Sequence, residues 1–188
     1  YEAWKAVRDK DFIFGQFIWT GIDYLGESGA WPSRGLYTGL LDFTGNPKPR
    51  GKFRESLWSH KPVTYIGTYP KPRHGDWLSI DAWDSWNYNE GDSIRVVCYT
   101  NSPKARLLLD GNPVGDVKPM DDNTGIICWD IPFSPGRLTA EGLDENGNVM
   151  SEYSITTSGR PYALKAGADR DNFEKTGDVA HVEIEVVD

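Results

Sequence analysis

The chain has 188 residues, of which 38% are hydrophobic and 26% are charged, and its formal net charge at pH 7 is −8. That length can hold one or two domains with cores of their own, and no run approaches the roughly 18 unbroken apolar residues of a membrane-spanning helix. The acidic balance and the lack of a Lys/Arg cluster argue against nucleic acid as a partner. Because the chain opens on Tyr1 rather than Met and shows no signal peptide, we expect a piece of a longer protein.

Residues 1–72 form the first predicted segment and resemble part of an α/β barrel in their order of elements. Tyr1–Lys10 predicts the end of a helix, and the nearly continuous apolar run Phe12–Trp19 predicts a strand buried on both faces, as in a parallel sheet. A loop rich in Gly and Ser follows. A second helix is then expected to begin with Asn46 as its N-cap and to carry Phe53 inward. A whole barrel needs about 250 residues, so this segment can only be a piece of one.

Residues 73–160 form the second predicted segment, an immunoglobulin-like β-sandwich. Short β-rich runs are separated by turn signals, and the Asp-Gly and Asn-Gly dipeptides at 110–111 and 146–147 are typical of tight hairpins. About five to seven short strands within this length favour a sandwich. The preceding stretch Lys61–Pro72 contains several prolines and is expected to be a stiff, extended linker. The clearest predicted strands are Ser93–Thr100, Ala105–Leu109, Gly125–Ile131, Arg137–Leu143 and Val149–Thr157.

Residues 161–188 form the third predicted segment, the opening of a further β-domain. Aliphatic residues alternate with glutamates over Val182–Val186, which is the pattern of a half-buried strand. The fold class predicted for the whole chain is therefore mainly β. A sandwich is preceded by the last strand and helix of a truncated (β/α)8 barrel and followed by the start of another β-domain.

The sequence offers no recognisable set of metal ligands. The aspartates between Asp116 and Asp122 lack the spacing of an EF-hand loop, and the three histidines are scattered singly. Two cysteines, Cys98 and Cys128, are too few for a structural zinc site. Each cysteine lies in a β-like run, so the sequence is compatible both with free buried thiols and with a disulfide across strands.

Several motifs carry a resemblance to a known family. Gly15–Glu27 (GQFIWTGIDYLGE) resembles the final barrel strand of the family 2 β-galactosidases, and Leu41–Pro49 resembles the segment before their last barrel helix. Leu107–Gly111 and Pro135–Leu138 resemble the immunoglobulin-like domain that follows the barrel in a subset of these hydrolases. Leu164–Arg170 is similar to the start of a further sandwich. The resemblance therefore spans essentially the whole chain.

The resemblance implies an activity for the parent protein. It would be a retaining exo-β-glycosidase of carbohydrate catabolism, most simply a β-galactosidase, that hydrolyses a β-galactoside or related glycan. Both catalytic glutamates of the family stand at the ends of the fourth and seventh barrel strands, which lie upstream of Tyr1, so this chain alone is expected to be inactive. No cofactor is implied, and no membrane association. The parent is expected to be periplasmic or secreted, and the oligomeric state is left open.

Three residues of the motif are candidate substrate-binding residues: Trp19, Asp23 and Glu27. Trp19 ends the predicted strand at the rim where barrel active sites are built, and the resemblance implies that it walls the subsite for the non-reducing sugar. The alternative is that Trp19 only plugs the top of the barrel. Asp23 and Glu27 either contact substrate hydroxyls or serve the loop through hydrogen bonds and solvation; neither is predicted to be catalytic.

A cluster of aromatic residues before the first clear sandwich strand supports two rival hypotheses. Trp77, Trp83, Trp86 and Tyr88 could form the stacking platform of a carbohydrate-binding module, or they could pack the sandwich core. A third hypothesis is an immunoglobulin-like interaction domain with a protein partner. The motif at Gly15–Glu27 argues against both rivals to the glycosidase, because neither needs it.

Overall fold

The computed structural model describes residues 1–188 and divides them into two compact units, Tyr1–Thr157 and Ser158–Asp188. The helices are α1 (Glu2–Asp9) and α2 (Pro49–Trp58). The strands are β1 (Tyr24–Leu25), β2 (Gly35–Leu36), β3 (Thr64–Pro70), β4 (Ser93–Thr100), β5 (Lys104–Leu109), β6 (Asn112–Pro113), β7 (Lys118–Pro119), β8 (Ile127–Pro132), β9 (Arg137–Leu143), β10 (Val149–Thr156), β11 (Ala163–Ala168) and β12 (Val182–Val187). Neither helix has the length and apolar character needed to cross a bilayer.

Two antiparallel sheets form a β-sandwich in the larger unit. One sheet has the order β3-β4-β8, and the other has the order β10-β9-β5-β6 with β7 also paired to β5. Their facing side chains make one core, which contains Ile66 and Val96 from the first sheet and Leu107 and Leu138 from the second, all fully buried. The prediction of a mainly β chain built on a sandwich is confirmed.

The hairpin signals of the sequence are found where they were expected. Asp110 and Gly111 join β5 to β6, and both have positive φ angles, 50° and 79°. Gly147, with φ 89°, lies in the turn between β9 and β10. Two successive left-handed residues are what a type I′ hairpin turn requires, which explains why an Asp-Gly pair occupies the first of these turns.

The predicted linker before the sandwich is wrong, because Thr64–Pro70 is the edge strand β3. It pairs with β4 from Thr64↔Thr100 to Pro70↔Ile94. Between its flanking prolines the stretch is mostly β-branched and aromatic, which suits a strand, and Pro70 is tolerated at the strand end. The prolines at both ends of this stretch led to the prediction of a linker in place of the strand.

Helix α2 packs on the outer face of the β3-β4-β8 sheet. Phe53 of α2 is buried, and its ring meets that of Tyr99 edge-on at 5.3 Å between centroids. Tyr65 of β3 stacks on Tyr99 with 5.5 Å between ring centroids. This sheet is therefore covered on both faces, which accounts for the nearly uninterrupted burial of β4.

The start of α2 differs from the prediction. Lys48 is the N-cap and Pro49 begins the first turn, whereas Asn46 was expected to cap the helix. Asn46 instead closes a turn, where its backbone N–H donates to Asp42 Oδ1 at 2.9 Å. The sequence offers two prolines, and the second takes the first helical turn, where its missing N–H is not needed.

The predicted buried strand Phe12–Trp19 is also corrected. The segment has no regular secondary structure and pairs with no strand, and Phe12, Phe14 and Phe17 are 84%, 98% and 99% exposed. A continuous apolar run signals burial only if neighbouring strands stand on both sides, and residues 1–188 supply none there. The run therefore stands as an uncovered apolar surface of this chain.

The smaller unit is a two-stranded hairpin of β11 and β12, paired from Ala163↔Val187 to Ala168↔Val182. The strand predicted around Val182–Val186 is confirmed. Its apolar face, however, is exposed rather than half-buried, because this unit contains no second layer to cover it.

The two cysteines are free. In the β4–β8 pair Val97 stands opposite Cys128, and Cys98 stands opposite Ile127. The cysteines are thus one register step apart, and their side chains leave opposite faces of the sheet. Cys98 points into the sandwich core and Cys128 toward the outer face, so no disulfide joins them.

Candidate functional site

The loop between the exposed apolar run and α2 folds back on itself through backbone hydrogen bonds. Leu40 N–H donates to Thr20 O at 3.1 Å, and Asp23 N–H donates to Leu41 O at 2.9 Å. Strands β1 and β2 add an antiparallel pair at Tyr24↔Leu36. A Cβ on Gly39 would overlap the backbone of Asp23 and Leu41, so only glycine permits this close approach. The loop is a defined scaffold on which side chains can be positioned.

Asp23 and Lys48 form an ion pair at the centre of this scaffold. Lys48 Nζ lies 3.1 and 3.0 Å from the two carboxylate oxygens of Asp23. The Asp23 side chain is only 4% exposed and the Lys48 side chain 11%. Asp23 Oδ1 also accepts the Gly39 N–H at 2.7 Å, and Lys48 Nζ donates to Tyr37 O at 2.8 Å. Both charges are therefore buried, paired and further hydrogen-bonded, which is the condition under which such a pair is tolerated.

Trp19 and Glu27 meet at the surface of the same loop, joined by Tyr24. Trp19 Nε1 donates to Tyr24 Oη at 3.2 Å, and the Tyr24 hydroxyl donates to the Glu27 carboxylate. The rings of Trp19 and Tyr24 are perpendicular, with 6.3 Å between centroids, and the Trp19–Thr20 peptide bond is cis. The hydrogen bond to Glu27 raises the pKa of the Tyr24 hydroxyl, which keeps it protonated as a donor.

The arrangement offers the groups that a sugar ring needs. The indole of Trp19 is 73% exposed and presents an apolar surface, and its polar neighbours are a hydroxyl and a carboxylate. Such a set can stack on the C–H face of a pyranose and accept hydrogen bonds from its hydroxyl groups. We call Trp19, Tyr24 and Glu27 the rim cluster.

The three site residues predicted from the sequence therefore do not lie together in one cluster. Trp19 and Glu27 come together in the rim cluster, and Asp23 is turned away from it into the ion pair with Lys48. Sequence reasoning missed Tyr24, although it stands inside the same motif. It also missed Lys48, because that residue is 25 positions from Asp23 and only the return of the loop brings them together.

The aromatic residues at 77–88 do not form one platform. Trp86 is fully buried, and its Nε1 donates to Ser134 O at 3.0 Å. Tyr88 packs on the same core. Trp77 is more than half exposed and stacks flat on Tyr69, with 5.0 Å between centroids and 6° between planes. Trp83 is also exposed. The core-packing reading fits two of the four residues, and a flat exposed pair remains on the sandwich.

An open apolar groove of about 330 Å³ lies between the loop and α2. Leu40, Leu41, Pro47 and Trp58 contribute to its walls. Beside it the guanidinium of Arg54 stands 5.6 Å from the centre of the Trp58 ring, and its Nη1 atom is buried with no hydrogen-bond partner. Burial lowers the pKa of Arg54. This face has the character of a surface that another part of a protein covers.

Comparison with known proteins gives matches over the whole chain. Residues 91–151, which lie within the sandwich, match a family described as a domain of unknown function, DUF4982. A β-galactosidase of Bacteroides ovatus is 33% identical over 191 residues, covering 100% of this chain and 20% of that protein. A putative β-glucuronidase of Formosa agariphila is 30% identical over 167 residues, covering 86% of this chain and 15% of that protein.

Solved structures agree with these matches. A glycosyl hydrolase family 2 member from Bacteroides cellulosilyticus superposes with a TM-score of 0.82 at 28% identity, covering 100% of this chain and 25% of that one. A β-glycosidase from Bacteroides vulgatus gives 0.78 at 26% identity, covering 100% and 22%. The chain thus shares its sandwich and its loop with glycoside hydrolases of known structure.

The chain is similar over its whole length to members of glycoside hydrolase family 2. It spans about a fifth of the length of the Bacteroides ovatus relative and a smaller share of the Formosa agariphila one. The similarity extends from the loop to the final hairpin.

Proposed function

We propose that this chain is the part of a retaining exo-β-glycosidase, most specifically a β-galactosidase, that supplies one wall of the sugar pocket and an accessory sandwich. The observation that carries the proposal is the rim cluster. An exposed indole is held by Tyr24 and Glu27 on a rigid loop, in a chain that matches a β-galactosidase from end to end. The proposed substrate is a terminal non-reducing β-galactoside.

The uncovered apolar surfaces support a larger catalytic domain around this loop. Phe12, Phe14, Phe17 and Trp19 are exposed, and the groove beside α2 adds a second apolar area. We propose that residues 1–60 complete a (β/α)8 barrel, with Phe12–Trp19 as its last strand between two strands of the preceding chain. The sandwich would then begin at β3, and residues 158–188 would open a further β-domain.

The chemistry of a retaining glycosidase divides between this chain and the rest of the enzyme. Two carboxylates about 5–5.5 Å apart act as acid/base and as nucleophile through a glycosyl-enzyme intermediate. We propose that both lie in the part of the enzyme before Tyr1. Trp19 stacks on the sugar bound next to them, and Glu27 accepts hydrogen bonds from its hydroxyl groups, so the chain binds and orients the substrate without reacting with it.

The charges of the loop favour a neutral sugar over a uronic acid. Glu27 places a carboxylate beside the Trp19 ring, and it would repel the carboxylate of a glucuronide. The buried ammonium of Lys48 is already neutralised by Asp23 and is not available to a uronate. These two observations support the galactosidase over the glucuronidase among the relatives' activities.

The test compares two aryl glycosides with the same leaving group. The full-length protein should hydrolyse nitrophenyl β-galactoside with a kcat/KM at least about tenfold above that for nitrophenyl β-glucuronide, a difference of roughly 1.4 kcal/mol in transition-state binding. Residues 1–188 alone should release no nitrophenol. Preference for the glucuronide would overturn the substrate assignment, and hydrolysis by the isolated chain would overturn the division of roles.

A second candidate is a carbohydrate-binding module, and the flat pair of Trp77 and Tyr69 is what favours it. Its exposed indole is fixed from behind by the tyrosine ring, as a stacking platform requires. This hypothesis expects residues 1–188 to bind an oligosaccharide measurably by calorimetry and to lose that binding in Trp77→Ala. If residues 1–188 bind none of a panel of β-linked oligosaccharides, the binding-module hypothesis is overturned and only the glycosidase proposal is left.

A further inference from the structure

We infer that Asp23 and Lys48 are positioning residues that fix the rim cluster for sugar binding, rather than substrate contacts. The inference rests on the proposed function of that cluster. It assigns to Asp23 a role different from the one its place in the motif suggests.

The ion pair joins three separate passes of the chain. Asp23 lies just before β1, Gly39 and Tyr37 lie on the returning pass, and Lys48 is the N-cap of α2. Four polar contacts of 2.7–3.1 Å link them: two from Lys48 Nζ to the carboxylate, one from Gly39 N–H to Asp23, and one from Lys48 Nζ to Tyr37 O. Backbone hydrogen bonds join the same passes in pairs, at Asp23–Leu41 and at Lys48–Leu40. Among side-chain contacts in the loop, only this ion pair links all three passes, so it reinforces the position of β1 relative to α2.

The next residue after Asp23 transmits that position to the surface. Tyr24 begins β1 directly after the buried Asp23, so one peptide bond connects the ion pair to the half-buried tyrosine. There Tyr24 accepts from Trp19 Nε1 and donates to Glu27. A shift of the Asp23 backbone would therefore move the one hydroxyl that holds both rim side chains.

The energetics make the pair sensitive to removal of one partner. A buried ion pair contributes little net stability compared with apolar residues, but deleting one charge leaves the other unpaired in a low-dielectric site. Asp23→Asn keeps the shape and removes the charge, so the Lys48 ammonium would draw solvent or another acceptor into the scaffold. The expected result is a displaced β1 and a loosened rim cluster.

The experiment uses the full-length enzyme and a matched control. Asp81→Asn disrupts the ion pair between Asp81 and Arg50, which also anchors the first turn of α2. Arg50 reaches the loop only at Thr38 O and makes no hydrogen bond with a rim-cluster residue. Asp23→Asn should lower kcat/KM on nitrophenyl β-galactoside by roughly 10- to 100-fold, the effect of a small displacement in a binding site. It should also weaken inhibition by free galactose, whereas Asp81→Asn should change only the melting temperature.

A double-mutant cycle with Trp19→Ala separates positioning from general destabilisation. If Asp23 acts through the rim cluster, the double variant D23N/W19A should have a kcat/KM within about twofold of that of Trp19→Ala alone. Additive losses, or unchanged galactose inhibition in Asp23→Asn, would overturn the inference. Should Asp23→Asn fail to fold, the double variant D23N/K48M removes both charges and carries the same two expectations.

The same measurements distinguish a failure of the positioning role from a failure of the proposed function. If the wild-type enzyme hydrolyses the galactoside and Asp23→Asn has the same kcat/KM, only the positioning role is overturned. A full-length wild type that is inactive on every aryl glycoside defeats the proposed function, and the positioning role with it.

Discussion

At the scale of single residues, the charged side chains on the outer face of the sandwich are organised around Arg95. Its guanidinium binds Asp130 through two contacts of 2.7 and 2.8 Å, and it also binds Asp76 at 2.7 Å. Lys71 adds a contact to Asp130 at 3.0 Å. The hydrogen bonds from Arg95, more than those from Lys71, lower the pKa of Asp130 to about 2. Because Arg95 is almost fully buried and binds Asp130 through two hydrogen bonds, removing Asp130 should lower the stability of the fold.

This pair predicts a specific dependence of stability on pH. Because the pKa of Asp130 falls from about 3.9 in the unfolded chain to about 2 in the folded one, the pair stabilises the fold above pH ~4 and the contribution is lost as the pH falls toward 2. Asp130→Asn should therefore be less stable than the wild type above pH ~4, and the gap should narrow toward pH 2. Urea unfolding between pH 2 and 6 measures it.

The control for that prediction is an exposed carboxylate, in Asp11→Asn, which should follow the wild type at every pH in this range. A gap between Asp130→Asn and the wild type that stays constant from pH 6 to pH 2 would contradict the assignment of the low pKa to this pair.

At the scale of elements, α2 is the link between the sandwich and the loop that carries the candidate site. Phe53 is the helix residue that packs on Tyr99, and Lys48 at the helix N-cap holds Asp23. Undocking α2 would thus disturb both the outer face of the sheet and the ion pair. The stability of the helix and the position of the loop are coupled through one short element.

Phe53→Ala should destabilise the chain by about 3–5 kcal/mol, because it removes a buried ring and leaves a cavity between α2 and the β3-β4-β8 sheet. The matched change on the exposed side of the same helix is Glu55→Ala, which removes only a surface contact with Lys52 and should cost about 0.5 kcal/mol or less. Denaturant unfolding of both variants measures the difference. Equal destabilisation by the two substitutions would show that α2 is not docked through Phe53.

Elements with local signals could be predicted from the sequence, and elements that depend on neighbours could not. The Asp-Gly turn at 110–111 and the strands β4, β5 and β9 follow from turn chemistry and from β-rich runs between turn signals, which are local. Burial of Phe12–Trp19 depends on strands beside it, so the apolar run alone misled the prediction. The strand Thr64–Pro70 was missed because proline content outweighed the β-branched residues between the prolines.

The site was predictable to the extent that its motif is contiguous. Trp19 and Glu27 stand in one motif with Tyr24, and the structure brings the three together. Asp23 reads in the sequence like any loop carboxylate near aromatic residues. Its partner Lys48 is separated from it by the whole loop, so only the folded chain reveals that its charge is already neutralised.

At the scale of the whole molecule, the chain matches large enzymes over about a fifth of their length or less and exposes apolar surface where more protein would be expected. The sandwich has a closed core of its own, whereas the rim cluster lies on the loop outside that core, with Trp19 largely exposed. Both facts agree with the proposal that the chain binds sugar only as part of a complete glycosidase.

The most direct test of that account is the kcat/KM of Trp19→Ala in the full-length enzyme on nitrophenyl β-galactoside, beside Trp77→Ala as the control tryptophan on the sandwich. Removal of the stacking surface should lower kcat/KM by roughly tenfold or more, since about 1.4 kcal/mol of transition-state binding is a factor of ten. Trp77→Ala should stay within about twofold of the wild type, as expected for a residue that does not touch the reacting sugar. Hydrolysis by Trp19→Ala that matches the wild type would contradict the claim that this chain forms a wall of the sugar pocket.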